Sequence, residues 1–249
     1  MTRIALLLAV LATFVCLGRA DTNSLEIRAL VVTGGHGFDR EPFFDMLKSV
    51  PRLTVEEVEH PNAHTLLTPA SLRRYDVLVL YDMWQPIDDS ARREFAALVK
   101  QGMGVVALHH SICGYNDWPE YRSIIGGRYR VKEIDGRKPS VYKHDVRFRV
   151  KVHGGHPVTA GLRDFDVFDE TYGDFDVNPR VRPLLTTDDP TSSKTIGWAH
   201  SYGKARVVAI QPGHGPSIFG HSSYRKLLTQ AIRWATRRDS TTTPSRFDE

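Results

Sequence analysis

Short apolar runs alternate with amphipathic segments along most of the chain. Four runs are apolar over their length, as strands buried on both faces of a parallel sheet would be. They span residues 27–33, 75–81, 104–108 and 206–210. Three segments carry apolar residues at helical spacing, at 38–50, 88–101 and 224–235. This alternation predicts an α/β fold, a three-layer α/β/α sandwich with a mostly parallel sheet.

The first twenty residues have the pattern of a secretory signal peptide. Arg3 provides a positive charge, an apolar run spans residues 4–17, and Gly18 and Ala20 are small residues at the −3 and −1 positions of a cleavage site. The run is too short for a comfortable membrane span, and an uncleaved N-terminal anchor is the alternative. We therefore expect a mature protein outside the cytoplasm, periplasmic or secreted, without stable membrane insertion.

Charge and cysteine content narrow the possible partners and the sources of stability. Loss of Arg3 and Arg19 with the leader lowers the net charge from +4 to +2, and no basic stripe interleaves with aromatic residues. Nucleic acid is therefore not an expected partner. Only Cys113 remains after cleavage, so an intramolecular disulfide is impossible. The mature chain should form one domain over residues 21–237, with a disordered polar tail at 238–249; the oligomeric state is left open.

Histidines follow three of the four predicted buried strands. The strand ends read Gly34-Gly35-His36, His109-His110 and Gly213-His214. In open parallel sheets, ligands bind just beyond the carboxyl ends of the strands. The pattern therefore predicts one convergent site at a shared edge of the sheet.

Several motifs occur in a characteristic order along the chain. They are VVTGGHGFDR, GVVALHHSICGYNDWPEYRSIIGGRY, GGHPVTAGL, DETYGDF and YGKARVVAIQPGHG. Together they resemble the ThuA-like (trehalose-utilisation) family over roughly residues 27–234. The resemblance implies a sandwich of the class I glutamine amidotransferase-like, flavodoxin-like type. It also implies a role in carbohydrate metabolism, including that of oxidised (3-keto) disaccharides, and a small-molecule carbohydrate as partner.

The amidotransferase nucleophile of this fold is missing from its expected position. In amidotransferases a cysteine follows the strand that corresponds to 104–108, and a histidine and a glutamate two residues apart activate it. Here the turn carries His109 and His110, Cys113 lies further on, and Gly215-Pro216 follows His214. A thiolate mechanism needs a nucleophile and an oriented base. We therefore expect no glutaminase activity and interpret Cys113 as a small buried residue.

The histidines and one glutamate form a candidate metal site. Neutral imidazoles and a carboxylate from separate loops are the usual ligands of catalytic zinc or a similar divalent ion. The predicted ligands are His36, His109, Glu170 and His214, of which His109, Glu170 and His214 are also the predicted catalytic residues. The alternative is that these histidines bind substrate hydroxyls and cap turns without a metal. No nucleotide cofactor is expected, and His109 is slightly preferred over His110 as the one of the pair that faces the site.

Five residues within these motifs are candidates for substrate binding. They are His36, His110, Trp118, His156 and Tyr172. Trp118 could stack on a sugar ring or pack in the core with Tyr121, and His156 could line the site or cap its His-Pro turn. Six other histidines are interpreted as surface or structural residues: His60, His64, His144, His153, His200 and His221.

The sequence is compatible with three hypotheses for the function of the protein. The first is an exported ThuA-like enzyme, a hydrolase, lyase or isomerase, that acts on a sugar or 3-keto glycoside through a His/Glu site, with or without a metal. The second is a non-catalytic carbohydrate-binding module on the same fold. The third is a structural domain, and the histidines at the strand ends argue against it because a scaffold does not need them.

We expect the leader to be removed between Ala20 and Asp21, because small residues occupy the −3 and −1 positions. N-terminal sequencing of the exported protein should therefore give Asp21 as the first residue. Ala20→Arg places a large charged residue at −1 and should block cleavage in the same host. Exported wild-type material that begins at Met1 contradicts the prediction.

Overall fold

A computed structural model describes residues 26–239, which contain eleven strands and five α-helices. The strands are β1 (Ile27–Gly34), β2 (Leu53–Glu59), β3 (Val77–Asp82), β4 (Gly104–Leu108), β5 (Gly127–Arg128), β6 (Val141–Val152), β7 (Phe165–Gly173), β8 (Asp176–Val177), β9 (Arg182–Thr186), β10 (Thr195–Tyr202) and β11 (Ala205–Ile210). The helices are α1 (Arg40–Lys48), α2 (Asp89–Gln101), α3 (Pro119–Ile125), α4 (Pro216–Phe219) and α5 (Ser222–Ala235). The predicted leader and most of the predicted tail lie outside the described residues.

Nine strands form one mixed sheet in the order β2-β1-β3-β4-β11-β10-β9-β6-β7. The first five strands are parallel. The remaining four extend the sheet through antiparallel pairings. Strands β5 and β8 form a separate antiparallel ribbon. The predicted α/β sandwich is confirmed, and its parallel half contains the four apolar runs of the sequence.

The hydrophobic core lies in two layers, one on each face of the sheet. Successive residues of a strand point to opposite faces, so Val31 packs in the layer with α1, α4 and α5, whereas Leu30 packs in the layer with α2 and α3. The first layer includes Phe43 of α1 and the second includes Phe95 of α2. Burial on both faces explains why the parallel strands are apolar without alternation.

Local signals in the sequence set the ends of the longer helices. Helix α2 begins after Asp88, whose side chain accepts a hydrogen bond of 2.8 Å from the backbone N–H of Ala91. It ends at Gly102, whose φ of 122° is a conformation that glycine adopts at little cost.

No helix within residues 26–239 is long and apolar enough to cross a bilayer.

The parallel strands end at one edge of the sheet and deliver the polar loops there. β1 ends at Gly34, β4 at Leu108 and β11 at Ile210, so the segments that follow them meet beyond this edge. Gly35 allows close approach, because a Cβ at this position would lie 2.7 Å from the carbonyl carbon of Met83. A side chain there would push the β1 loop away from the β3 loop.

Gly104→Ala should lower the free energy of unfolding by about 1–3 kcal/mol, as overpacking does. A Cβ at Gly104 would lie 2.5 Å from the backbone oxygen of Ala235 at the end of α5. Gly154→Ala is the matched control, because no atom lies within 4 Å of its added Cβ. Denaturant unfolding of both variants measures the difference, and equal stabilities would contradict this close packing of β4 on α5.

Candidate functional site

The loop after β4 places His109 at the edge of the sheet in an unusual backbone conformation. His109 has a φ of 46°, in the left-handed region that non-glycine residues seldom occupy. Its Nδ1 lies 2.6 Å from the carbonyl oxygen of Gln211, which follows β11. A carbonyl can only accept, so Nδ1 carries the proton and Nε2 is left with its lone pair when the ring is neutral.

Two polar atoms meet Nε2 of His109, one from β7 and one from the loop after β11. Oε2 of Glu170 lies 2.9 Å from this nitrogen, and Nδ1 of His214 lies 3.3 Å from it. Oε2 of Glu170 and Nδ1 of His214 are 3.2 Å apart. Two acceptors 2.9 Å apart repel each other in a buried site unless a proton on Nε2 or a bound cation lies between them. The cluster is therefore built to hold a positive charge at its centre.

Electrostatics within the cluster keep Glu170 ionised. Burial alone would raise the pKa of Glu170, but the hydrogen bonds from His109 and His214 outweigh it and hold the pKa far below its usual range. The hydrogen bond to Glu170 raises the pKa of His214. Burial, helped by the neighbouring histidines, lowers the pKa of His110 well below its usual range and also lowers that of His36. The carboxylate of Glu170 thus lies beside His214, whose protonated form is favoured, and near His110 and His36, whose neutral forms are favoured.

Four of these residues form a group that could hold a divalent metal ion. His109, His110, Glu170 and His214 each offer one ligand atom, and these atoms lie within 4.8 Å of one another. Ligand atoms that lie about 2.0–2.2 Å from one zinc ion are roughly 3 Å from one another. The separations among His109 Nε2, His214 Nδ1 and Glu170 Oε2 are close to this value. The bond from His109 Nδ1 to a carbonyl is also the usual outer contact of a metal-binding histidine.

The ligand group differs from the predicted one at a single position. His36, predicted as a ligand, is outside the group, and its ring stacks on that of His110 with the centroids 3.8 Å apart. The expectation that only one residue of the adjacent pair faces the site was wrong, since His109 and His110 both offer ligand atoms. The positive φ of His109 and the 3-10 turn at His109–Cys113 break the strand-like alternation of side chains.

A buried carboxylate next to Glu170 fixes the loop that carries His214. Asp169 accepts hydrogen bonds from the backbone N–H groups of Gly213 (2.6 Å) and His214 (3.0 Å). In return, Nε2 of Gln211 donates to the backbone oxygen of Glu170 at 2.9 Å. These bonds tie the β11 loop to β7, so the imidazole of His214 and the carboxylate of Glu170 are held in register.

A cavity of about 330 Å³ opens onto this cluster, at the lower end of the usual size for small-molecule sites. Its lining combines polar, apolar and aromatic side chains. They are His36, Met83, His110, Cys113, Tyr129, Val131, Tyr142, His144, Glu170 and Tyr172. The hydroxyl of Tyr172 lies 3.2 Å from Nε2 of His109, which links the aromatic wall to the cluster. The arrangement can bind a small molecule, polarise it and transfer a proton.

A family model described as ThuA, trehalose utilisation, matches residues 28–235. The chain belongs to the ThuA family. This membership supports a carbohydrate-related role and confirms the resemblance carried by the motifs. No curated protein matches the chain by sequence.

Solved structures share the fold at low sequence identity. A protein from Parabacteroides merdae described as ThuA-like is 20% identical with a TM-score of 0.71, over 88% of this chain and 94% of that one. One from Bacteroides uniformis, also described as ThuA-like, is 21% identical with a TM-score of 0.63, over 86% and 93%. A protein from Thermoplasma acidophilum described as part of a GMP synthase is 11% identical with a TM-score of 0.52, over 85% and 96%. At these identities the likeness shows the fold.

Cys113 of this ThuA-family chain has the surroundings of a structural thiol, although it borders the cavity. Burial, helped by the nearby charge of Glu170, raises the pKa of its thiol far above the usual range. The thiolate form that a nucleophile needs is therefore strongly disfavoured. This environment supports the interpretation of Cys113 as a small buried residue.

Two predicted substrate-binding residues lie away from the cavity. Trp118 is buried in the core layer that contains α2 and α3, where its ring packs near those of Phe95 and Tyr121. Nδ1 of His156 accepts from the backbone N–H of Val158 at 3.2 Å, and the His156 ring packs on Trp234. The structure thus favours the alternatives already open in the sequence, a core role for Trp118 and a turn cap for His156.

Sequence reasoning missed His144, Tyr129 and Tyr142, which line the cavity. His144 was interpreted as a surface or structural residue, yet its Nδ1 lies 3.2 Å from Oε1 of Glu170 and its ring is 5.0 Å from that of His214. β6 pairs with β7 so that Tyr142 lies opposite Tyr172, which brings this stretch of β6 to the cavity. The alternation of β6 hinted at a strand, but its partner and register are not written in local sequence.

Proposed function

We propose that this ThuA-family protein is an exported enzyme that acts on an oxidised glycoside, such as a 3-keto derivative of a disaccharide. The single observation that carries the proposal is the convergence of His109 Nε2, His214 Nδ1 and Glu170 Oε2 at 2.9–3.3 Å separations beside a cavity. Export rests on the leader pattern of residues 1–20. The sugar class rests on the family's description as trehalose utilisation.

The chemistry follows from the donor set. A divalent ion such as zinc, held by His109, His214, Glu170 and His110, would supply Lewis acidity toward a substrate carbonyl or hydroxyl oxygen. The neutral state of His110, which burial enforces, suits it to that set. Asp169 and Gln211 keep the set rigid, which limits the reorganisation needed during reaction.

His144 is suited to move a proton in this site. Its Nδ1 faces Oε1 of Glu170, a pairing that favours a proton on Nδ1 and leaves Nε2 as an acceptor. The side chain is half-exposed and lines the cavity, so a substrate can reach it. A ketone acidifies the C–H bond beside it, and Nε2 of His144 would accept that proton. The electrons of the broken C–H bond would move onto the ketone oxygen as an enolate, from which elimination or isomerisation can proceed. Addition of water after elimination would complete a net hydrolysis.

The aromatic wall suits a sugar ring. Tyr129, Tyr142 and Tyr172 line the cavity, and Tyr142 is 61% exposed. The C–H faces of sugars pack on aromatic rings, whereas an exposed tyrosine contributes little to folding. These tyrosines take the sugar-stacking role that the sequence left open for Trp118, which is buried in the core.

The structure of the cluster favours an enzyme over a binding module. Sugar hydroxyls can be bound by surface amides and carboxylates at little cost to stability. Burying the imidazoles of His109 and His110 beside the carboxylate of Glu170 lowers stability, so their presence indicates that the positive charge held there has a use. Proton transfer and metal-assisted polarisation are such uses, whereas a binding module would show affinity for the sugar without turnover.

The purified protein should contain about one divalent ion per chain, and His214→Ala should lower this content more than about tenfold. In chelator, where both proteins are metal-free, the variant should lose less than about 1 kcal/mol of stability because His214 is half-exposed. Elemental analysis and denaturant unfolding measure the two effects, with His153→Ala as control outside the cluster. If the purified wild type contains no metal and chelator leaves its turnover unchanged, the proposed metal site is contradicted. The cluster would then be a sugar pocket that binds through hydrogen bonds.

His144→Ala should reduce turnover of 3-keto-trehalose by roughly 100-fold to 10,000-fold, the usual contribution of a general base. Its metal content should stay at the wild-type level, because His144 is outside the ligand group. Loss of the ketone signal in NMR spectra follows the reaction. Wild-type protein that binds the sugar without turning it over would support the binding module instead, and a fully active His144→Ala would rule out its role as base.

A further inference from the structure

A second cavity, of about 410 Å³, lies beside the β5–β8 ribbon and is lined largely by polar side chains. Three arginines and three smaller polar residues face it. They are Arg122, Ser123, Arg128, Asp135, Asn178 and Arg180. Arg128 and Tyr129 are consecutive, and Tyr129 lines the active-site cavity, so one short segment borders both cavities.

Cationic groups outnumber acidic ones around this cavity. The buried carboxylate of Asp176 forms ion pairs with Arg128 at 3.1 Å, with Arg122 at 3.8 Å, and with Arg130 and Arg137. Among the residues that line the cavity, the three arginines Arg122, Arg128 and Arg180 face one acid, Asp135, which leaves an excess of two positive charges. Burial would raise the pKa of Asp176, but the arginines outweigh it and lower the pKa, so this carboxylate stays ionised.

Part of this excess charge is buried. The side chain of Arg128 is 9% exposed. Burying a cation costs free energy unless an anion compensates it. Asp176 is shared among four arginines, and the second acid, Asp135, is 77% exposed and 3.5 Å from Arg128. The charge that Arg128 presents to the cavity is therefore only partly compensated within the chain.

We propose that this cavity binds a phosphate group, either free phosphate or the phosphate of a small monoester. Guanidinium groups bind tetrahedral oxyanions through paired N–H donors, which is why arginine dominates such sites. Arg122, Arg128 and Arg180 supply these donors, and the hydroxyl of Ser123 and the amide of Asn178 add neutral ones. The cavity is larger than one phosphate group needs, so it has room for the molecule that carries the phosphate. Asp135 competes with the ligand for Arg128.

Calorimetric titration of the mature protein with sodium phosphate, and separately with glucose 6-phosphate, tests the site, with sodium chloride at equal ionic strength as reference. Arg122→Gln and Arg180→Gln should each weaken phosphate binding roughly tenfold, as loss of one charged hydrogen-bonding partner does. Asp135→Asn should tighten binding several-fold because it removes the competing carboxylate; asparagine also accepts the φ of 55° at this position.

Two controls separate this cavity from other sources of phosphate binding. Arg93→Gln removes an exposed charge on α2 and should leave the affinity unchanged. His214→Ala should also leave it unchanged, which excludes phosphate bound at the active-site cluster. Tighter binding of glucose 6-phosphate identifies a monoester as the ligand, and equal affinity identifies free phosphate. The proposal is overturned if phosphate binds no better than chloride, or if the Arg122, Arg180 and Asp135 variants all bind as the wild type does.

Discussion

The hydrogen bond from His109 Nδ1 to the carbonyl of Gln211 fixes the chemistry of the whole cluster. It determines which ring nitrogen carries the proton and turns the lone pair of Nε2 toward Glu170 and His214. Because a buried lone pair cannot stably face a carboxylate, the cluster must gather a positive charge at its centre. The left-handed backbone of His109 serves the same end, since it turns the imidazole away from the path of a strand.

The two halves of the sheet have different parts in this arrangement. The parallel half delivers His36, His109 and His214 from loops that must meet at one edge. The antiparallel half delivers Glu170, His144, Tyr142 and Tyr172 from β6 and β7, at the opposite side of the sheet order. Asp169 joins the halves through the backbone of the His214 loop. The site thus depends on a mixed sheet.

The chain separates its two concentrations of buried charge. Around Glu170, burial lowers the pKa of His110 and His36, whereas the hydrogen bond to the carboxylate raises the pKa of His214. Around Asp176, arginines that cannot lose their protons surround another. The first environment can exchange protons or take up a metal, whereas the second has a permanent excess of positive charge. This difference in chemistry is the reason for assigning them different ligands.

The sequence by itself determined the α/β class, the buried parallel strands and the meeting of His36, His109 and His214 at one edge, because these follow from local hydrophobic period and strand direction. It also singled out Glu170 and Tyr172 through the DETYGDF motif. Tertiary structure alone decided that His110 joins the ligand group in place of His36, that His144 faces Glu170, and that Trp118 is core. The first two outcomes depend on one left-handed residue and on the register between β6 and β7, and the third depends on the packing of Trp118 against Phe95 and Tyr121. Register is set by contacts between strands distant in sequence, and no local pattern encodes it.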